Sequence, residues 1–448
     1  MLLFWMGLGC IPEWDPDWLA DTAGDSGSTG QTILINEDIT SNTLWTAENT
    51  YLLADNTVIF VKGNSTLTID AGTTVLGGDN SALIVTQGSK LFAEGEADAP
   101  VVFTSAAEPG SRERGDWGGV ALLGNAVINN DGGIGTLEGL PDSAAADAQY
   151  GGSDDTYSCG KLNYVRIEFA GQDLELDKEL NGLTLAGCGS GTNIRYVQVH
   201  YGKDDGIELF GGTASMRNIV ISRSGDDSLD WDLGWRGQIQ FLIIQLEQEN
   251  TEEFADKAFE SNGEDGDNEQ PYDNEPFSNP TIYNATLIGS NVDGSGETAM
   301  GFRAGTGGLL RNFVVTGFPR FGIDIDSVES ATRLTEGDLS LENMIFFDTQ
   351  LTVVEDAESD DDGGFDEAAW FSNPDLNITI EDPLFTAGVY ELEAPDFVPA
   401  LASPAATGAA AIPSSNTNGF WSGVPYLGAV EPGATTPWYE GWTDFPPN

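Results

Sequence analysis

The chain reads YVQVHYGKDDGIELFGG from Tyr196 to Gly212 and, about 22 residues later, NIVISRSGDDSLDWDLG from Asn218 to Gly234. Each stretch is an apolar run, a turn carrying two Asp, a second short run and a closing Gly. YVRIEFAG from Tyr164 and NGLTLAGCGSG from Asn181 fill the same slots earlier. Degenerate copies follow in KAFESNG at Lys257, ATLIGS at Ala285, GFRAGTGG at Gly301, NFVVTGF at Asn312, FGIDIDS at Phe321 and NMIFFD at Asn343. A unit of about 20 to 25 residues, holding two or three short strands with apolar residues inward, is the pattern of a β-solenoid, in which each coil buries its face only against its neighbours.

Working outward, TVIFV from Thr57, STLTID from Ser65, TTVLGG from Thr73, ALIVTQGSKLFAEG from Ala82 and VVFTS from Val101 are short and evenly spaced. Helical periodicity is almost absent and no Asn-Gly turn joins these strands, which excludes doubly wound and hairpin architectures. The predicted fold is all-β: a single-stranded right-handed parallel β-helix over 32–400, followed by a C-terminal cap over 401–448. Asp131 to Ser158, Glu260 to Pro280 and Glu355 to Asn373 are acidic and rich in Gly or Asn, and read as projecting loops.

Seventeen Lys and Arg against 73 Asp and Glu give a formal charge of −56, which repels phosphate backbones and excludes nucleic acid as a partner. The same excess favours divalent cations with a taste for hard oxygen, calcium first, and equally suits a surface tuned for solubility in salt. With 22 Phe and 11 Trp there is enough apolar material for a continuous core. Nothing calls for a second copy, so a monomer is expected.

The opening MLLFWMGLGC resembles the end of a bacterial lipoprotein signal, with residues 1–10 as the signal segment, Cys10 as the acylated residue and 11–31 as an acidic flexible tether. No Lys or Arg precedes the apolar run, and Gly7 stands where such signals usually carry Leu. The only membrane contact expected is through that lipid, with the protein exported and displayed on the outer envelope. An oxidising compartment then makes Cys159 and Cys188 candidates for a disulfide.

The runs LTIDAGTTVLGG, GDWGGVALLGNAVIN from Gly115, GTNIRYVQVHYGKDDGIELFGG and GDDSLDWDLGWRGQIQF, with YLGAVEPG and WYEGWTDF near the C-terminus, resemble a group of bacterial surface β-helix proteins and lipoproteins. The resemblance covers about Asn36 to Phe445 and implies architecture and location.

Chemistry concentrates in KDDGIE at Lys203 and GDDSLDWD at Gly225. One coil apart, Asp204 and Asp205 should stack on Asp226 and Asp227, and Glu208 on Asp230, with Asp232 on the same face. Glu260, Arg303 and Asp324 from later coils extend the column. Three uses compete. Asp226, Asp227, Asp230 and Asp232 could hold calcium; Asp204, Asp205, Asp227 and Asp230 could supply the acid and base of glycoside hydrolysis; or the Asp residues simply make turns. The paired Asp residues resemble those of β-helical polygalacturonases, but the Gly-His-Gly and Arg-Ile-Lys elements of that family are absent.

Around the ladder, His200, Lys203, Glu208, Trp231, Trp235 and Arg236 are candidate ligand-binding residues, the tryptophans as stacking faces for sugars. The resemblance to β-helical lyases implies a Lys or Arg base working with calcium on a uronate, and Lys203, Arg223 and Arg236 are the nearby candidates. Glu264, Asp265 and Asp267 form a second calcium-like run without the ordered spacing of an EF-hand. The expected function is a surface lipoprotein that binds calcium and carbohydrate, for adhesion, surface structure or glycan capture. The alternative is a polysaccharide hydrolase or lyase working at the ladder.

Overall fold

The computed structural model describes residues 30–140, 144–174, 180–248, 257–265, 271–291, 298–318, 320–352, 361–414 and 419–448. Within these, each coil contributes parallel strand segments in three lanes, and each strand pairs in register with its copy in the next coil. The first lane is a nine-stranded sheet through 58–61, 82–85, 120–123, 183–186, 207–210, 229–232, 257–262, 298–303 and 321–326. The second and third lanes start as separate strands, such as 66–70 and 74–77. From 160–168 onward they fuse into single bent strands within a 15-stranded sheet. Parallel strands joined by crossovers wind right-handed, so the chain is a right-handed parallel β-helix.

The bend in the fused strands recurs at one register position: Tyr164, Tyr196, Asn218, Phe241, Asn284, Asn312, Asn343 and Asn377 all have φ between 50° and 67°. Among residues with a side chain, Asn enters this left-handed region most readily, which explains its dominance in the later coils. Tyr and Phe are strained there. Tyr164 and Tyr196 offset this by stacking at 4.4 Å.

Alternate residues of each strand point inward and fill the tube. Leu209, Trp231, Phe259, Phe302 and Phe313 are fully buried, with Phe259 5.5 Å from Trp231 and 6.0 Å from Phe313. Burial of each such side chain stabilises by roughly 1.5–3 kcal/mol. A disulfide between Cys159 and Cys188 joins consecutive coils. At the C-terminal end, Phe371 and the partly buried Phe365 and Trp370 close the core.

Two segments cover the outside. The first expected projecting loop instead lies on the tube: its hairpin of 135–136 and 149–150 packs Leu137, Leu140, Ala148 and Tyr150 onto Phe60, Ile84, Ala121 and Leu123 of the first lane. The early coils present apolar residues there, and burying them needs a cover. The C-terminal segment likewise runs back over the third lane, packing Val389, Phe397, Val430, Trp442 and Phe445 against Val220, Ile243 and Ile288.

Candidate functional site

Where the hairpin cover ends, the outward face of the first lane turns from apolar to acidic. In-register pairing puts Glu208 opposite Asp230, Asp230 opposite Glu260, and Phe210 opposite Asp232. In the turn before these strands, the same register stacks Asp205 on Asp227, and the Asp227 backbone N–H donates to Asp205 Oδ1 at 3.0 Å. Asp324 continues the column through Gly301, whereas Arg303 stands two residues along on the same face, opposite Asp326.

These side chains line a pocket of about 400 Å³ formed by Asp204, Asp205, Glu208, Asp226, Asp227 and Asp230, with Glu138, Asn181, Lys257, Glu260 and Arg303 around them. Two trios, Asp204 with Asp205 and Asp226, and Asp205 with Glu208 and Asp230, bring carboxylate oxygens within 4.8 Å of one another. Asp227 Oδ1 and Asp230 Oδ1 are buried with no hydrogen-bond partner. A buried carboxylate oxygen left unpaired costs on the order of 1–3 kcal/mol, so a positive partner is called for. Hard oxygens converging at this range, two of them unsatisfied, match the donor set of calcium.

Burial raises Asp205, Glu208, Asp227 and Asp230 well above the ordinary carboxylate range, and neighbouring carboxylates raise them further. Asp232 rises to about 7, again chiefly by burial. Glu260 goes the other way. Burial pushes it up, but Lys257 and Arg303 outweigh that and hold it at about 2. Lys257 Nζ donates to Glu260 at 2.8 Å and lies 3.6 Å from Asp227, and Arg303 bonds Glu260 and reaches Asp326 at 3.3 Å. One wall of the pocket is thus acidic, with Asn181 donating to Glu208, and the other carries two cations.

Several expected site residues lie elsewhere. Trp231 and Trp235 are wholly buried, their indole N–H groups donating to Thr306 and the Ala214 carbonyl; they are core, because inward positions alternate with the outward carboxylates. His200 is sealed under the C-terminal segment between Ser222 Oγ at 2.8 Å and the Pro446 carbonyl at 2.9 Å, and burial lowers it to about 3. Lys203 pairs with Asp173 at the surface, and Arg236 pairs with Asp155 at the far end of the strands. Arg223 is buried against Glu247 at 2.8 Å. Glu264 is buried and accepts from Asn274 N and Nδ2 at 2.9 and 2.6 Å, so it braces its own loop. Asp265 is in that loop; Asp267 and Cys10 lie outside the described residues.

Lys257, Glu138 and Asn181 are in the pocket without having been singled out. For Lys257 the signal existed, since KAFES is one coil after DSLDW, but an insertion stretches the spacing.

A family model described as a pectate-lyase-like β-helix domain matches residues 37–376. Pectate lyase Pel9A is similar in structure at 13% identity and a TM-score of 0.33, over 91% of this chain and 98% of that one. No curated protein matches the chain in sequence.

Proposed function

We propose, from the premise that this chain belongs to the pectate-lyase-like β-helix family, that its acidic pocket binds calcium and through it an acidic polysaccharide. The observation that carries this reading is the pair of buried, unpartnered oxygens, Asp227 Oδ1 and Asp230 Oδ1, among converging carboxylates. Asp205, Glu208, Asp227 and Asp230 would hold the cation, with Asp204 and Asp226 at its outer edge. When bound, calcium would supply the positive charge that lets a chain of −56 accept a uronate.

A second reading, eliminative cleavage, is favoured by one specific contact: Lys257 sits inside the pocket beside Asp227. Once its ion pairs loosen, its amine would take the proton from the carbon next to the uronate carboxyl; the electron pair left behind would form the double bond as the bond to the glycosidic oxygen on the neighbouring carbon breaks, that oxygen leaving with a proton from solvent, and Arg303 would orient the sugar acid. Hydrolysis fits less well. Within the two trios, Asp204 with Asp205 and Asp226, and Asp205 with Glu208 and Asp230, the oxygens lie within 4.8 Å, closer than the roughly 5 to 9.5 Å separating hydrolase carboxyl pairs.

The deciding experiment incubates the protein with polyuronates and neutral polysaccharides, with calcium or with chelator, and reads binding and unsaturated chain ends. Calcium-dependent binding of the acidic polymers, lost in Asp227→Asn, is expected; binding indifferent to calcium overturns the reading. The Cys159–Cys188 disulfide supports an exported protein. No helix among the described residues is long and apolar enough to cross a membrane. An acyl chain on Cys10 would hold the β-helix at the outer envelope for glycan capture or adhesion; Cys10→Ser should release it from membranes, and continued association would remove the anchor.

A further inference from the structure

The turn after the first lane opens onto a second cleft, of about 450 Å³, whose character is the reverse of the acidic pocket. It is lined by Asn193, Arg195, Ser215, Arg236, Gln238 and Phe420, among other small polar residues. Asn193 and Ser215 pair in register, as do Arg195 and Arg217, so one polar column and one cationic column run side by side over adjacent coils.

Arg195 and Arg217 are like charges one rung apart, near 4.8 Å by strand spacing, a placement that repels. Neither has a carboxylate partner among the described residues. Arg217 is instead bonded to the Phe420 carbonyl at 2.7 Å and Ser422 Oγ at 2.6 Å, and stacks over Phe241. Those contacts hold the C-terminal segment but leave the charge uncompensated. Arg236 is matched by Asp155. The side chains of Arg195, Asn193 and Gln238 make no hydrogen bond to the described residues.

In a chain with 73 acidic residues, an unmatched arginine pair is a local conflict that packing does not require, and such conflicts concentrate where a ligand resolves them. We infer that this cleft is a second, calcium-independent subsite for the carboxylate of an acidic glycan, with Arg195 as its anchor. The guanidinium presents a planar fork that a carboxylate meets with two hydrogen bonds. Asn193, Ser215 and Gln238 lie beside it for sugar hydroxyls, and Phe420 also lines the cleft. The two sites sit at opposite ends of the first-lane strands and read a polyuronate by different chemistry. Only the ligand class rests on the function proposed above; the cleft and its charge do not.

The test is calorimetric titration of the purified protein with a short oligogalacturonate in excess chelator, where the acidic pocket has no cation to work with. Binding is expected to persist, to fall at least tenfold in Arg195→Gln and to fall less in Arg195→Lys. A carboxyl-reduced oligomer should not bind. No binding in chelator, equal binding of the reduced oligomer, full competition by acetate alone, or an unaffected Arg195→Gln protein with the wild-type melting temperature would each overturn the inference. Calcium-dependent binding lost in Asp227→Asn is scored separately, so either site can fail alone.

Discussion

Lys257 stands opposite Asp227 in the next coil, with its Nζ 3.6 Å from Asp227 Oδ2. The ammonium therefore shares one carboxylate with the proposed cation site. With a cation held there, Asp227 would be less available to Lys257 as an ion-pair partner. If Lys257 is the base, Lys257→Gln should lower the formation of unsaturated ends by about 10²- to 10⁴-fold while calcium still raises the melting temperature. Undiminished cleavage would exclude the role.

Calcium itself should stabilise the fold. At a free concentration about a hundred times its Kd, a single site adds about 2.7 kcal/mol, which chelator removes. The melting temperature should then fall by several degrees in chelator for the wild type and not for Asp227→Asn with Asp230→Asn. Identical melts with and without chelator would refute calcium binding.

The pH dependence of the metal-free protein follows from groups moved in opposite directions. Asp232 is raised to about 7 and Asp326 to about 6, both first by burial. Each holds its proton more tightly when folded, so its contribution is complete below about pH 4 and is lost as pH rises through its folded value. His200, lowered to about 3 by burial, contributes fully above about pH 6.5 and loses that contribution as pH falls. Because the raised carboxyls outnumber the single histidine, the protein in chelator should melt higher near pH 5 than near pH 8. His200→Gln should flatten the decline at still lower pH. Melting curves across this range decide it; greater stability near pH 8 would contradict the carboxyl assignments.

The disulfide spans 29 residues, for which chain entropy predicts roughly 3–4 kcal/mol of stabilisation. Denaturant unfolding of Cys159→Ala with Cys188→Ala should show a loss of that order, and reductant should leave the variant unchanged.

Trp231→Ala tests the core assignment. Removing a wholly buried indole should cost about 3–5 kcal/mol, whereas a sugar-stacking residue would cost affinity with little stability. Thermal melts and polyuronate binding measured together separate the two.

The sequence by itself determined the coil and the stacking of consecutive turns. Tyr196–Gly212 and Asn218–Gly234 are one period apart, and parallel pairing in register carries equal positions onto adjacent rungs. Hence Asp204 and Asp205 beside Asp226 and Asp227, and Glu208 beside Asp230, are legible in the sequence. The Asn at the bend of the later fused strands recurs as regularly in the sequence. Tertiary structure alone decided the rest. Lys257 reaches Asp227 across an insertion that breaks the period. Trp231 turns inward while Asp230 and Asp232 turn out, His200 is covered by the chain's last residues, and residues 131–150 lie over the early coils. Periodicity fixes what lies one coil away; which outward faces are covered depends on which distant segment has apolar surface to bury there, and no local pattern carries that information.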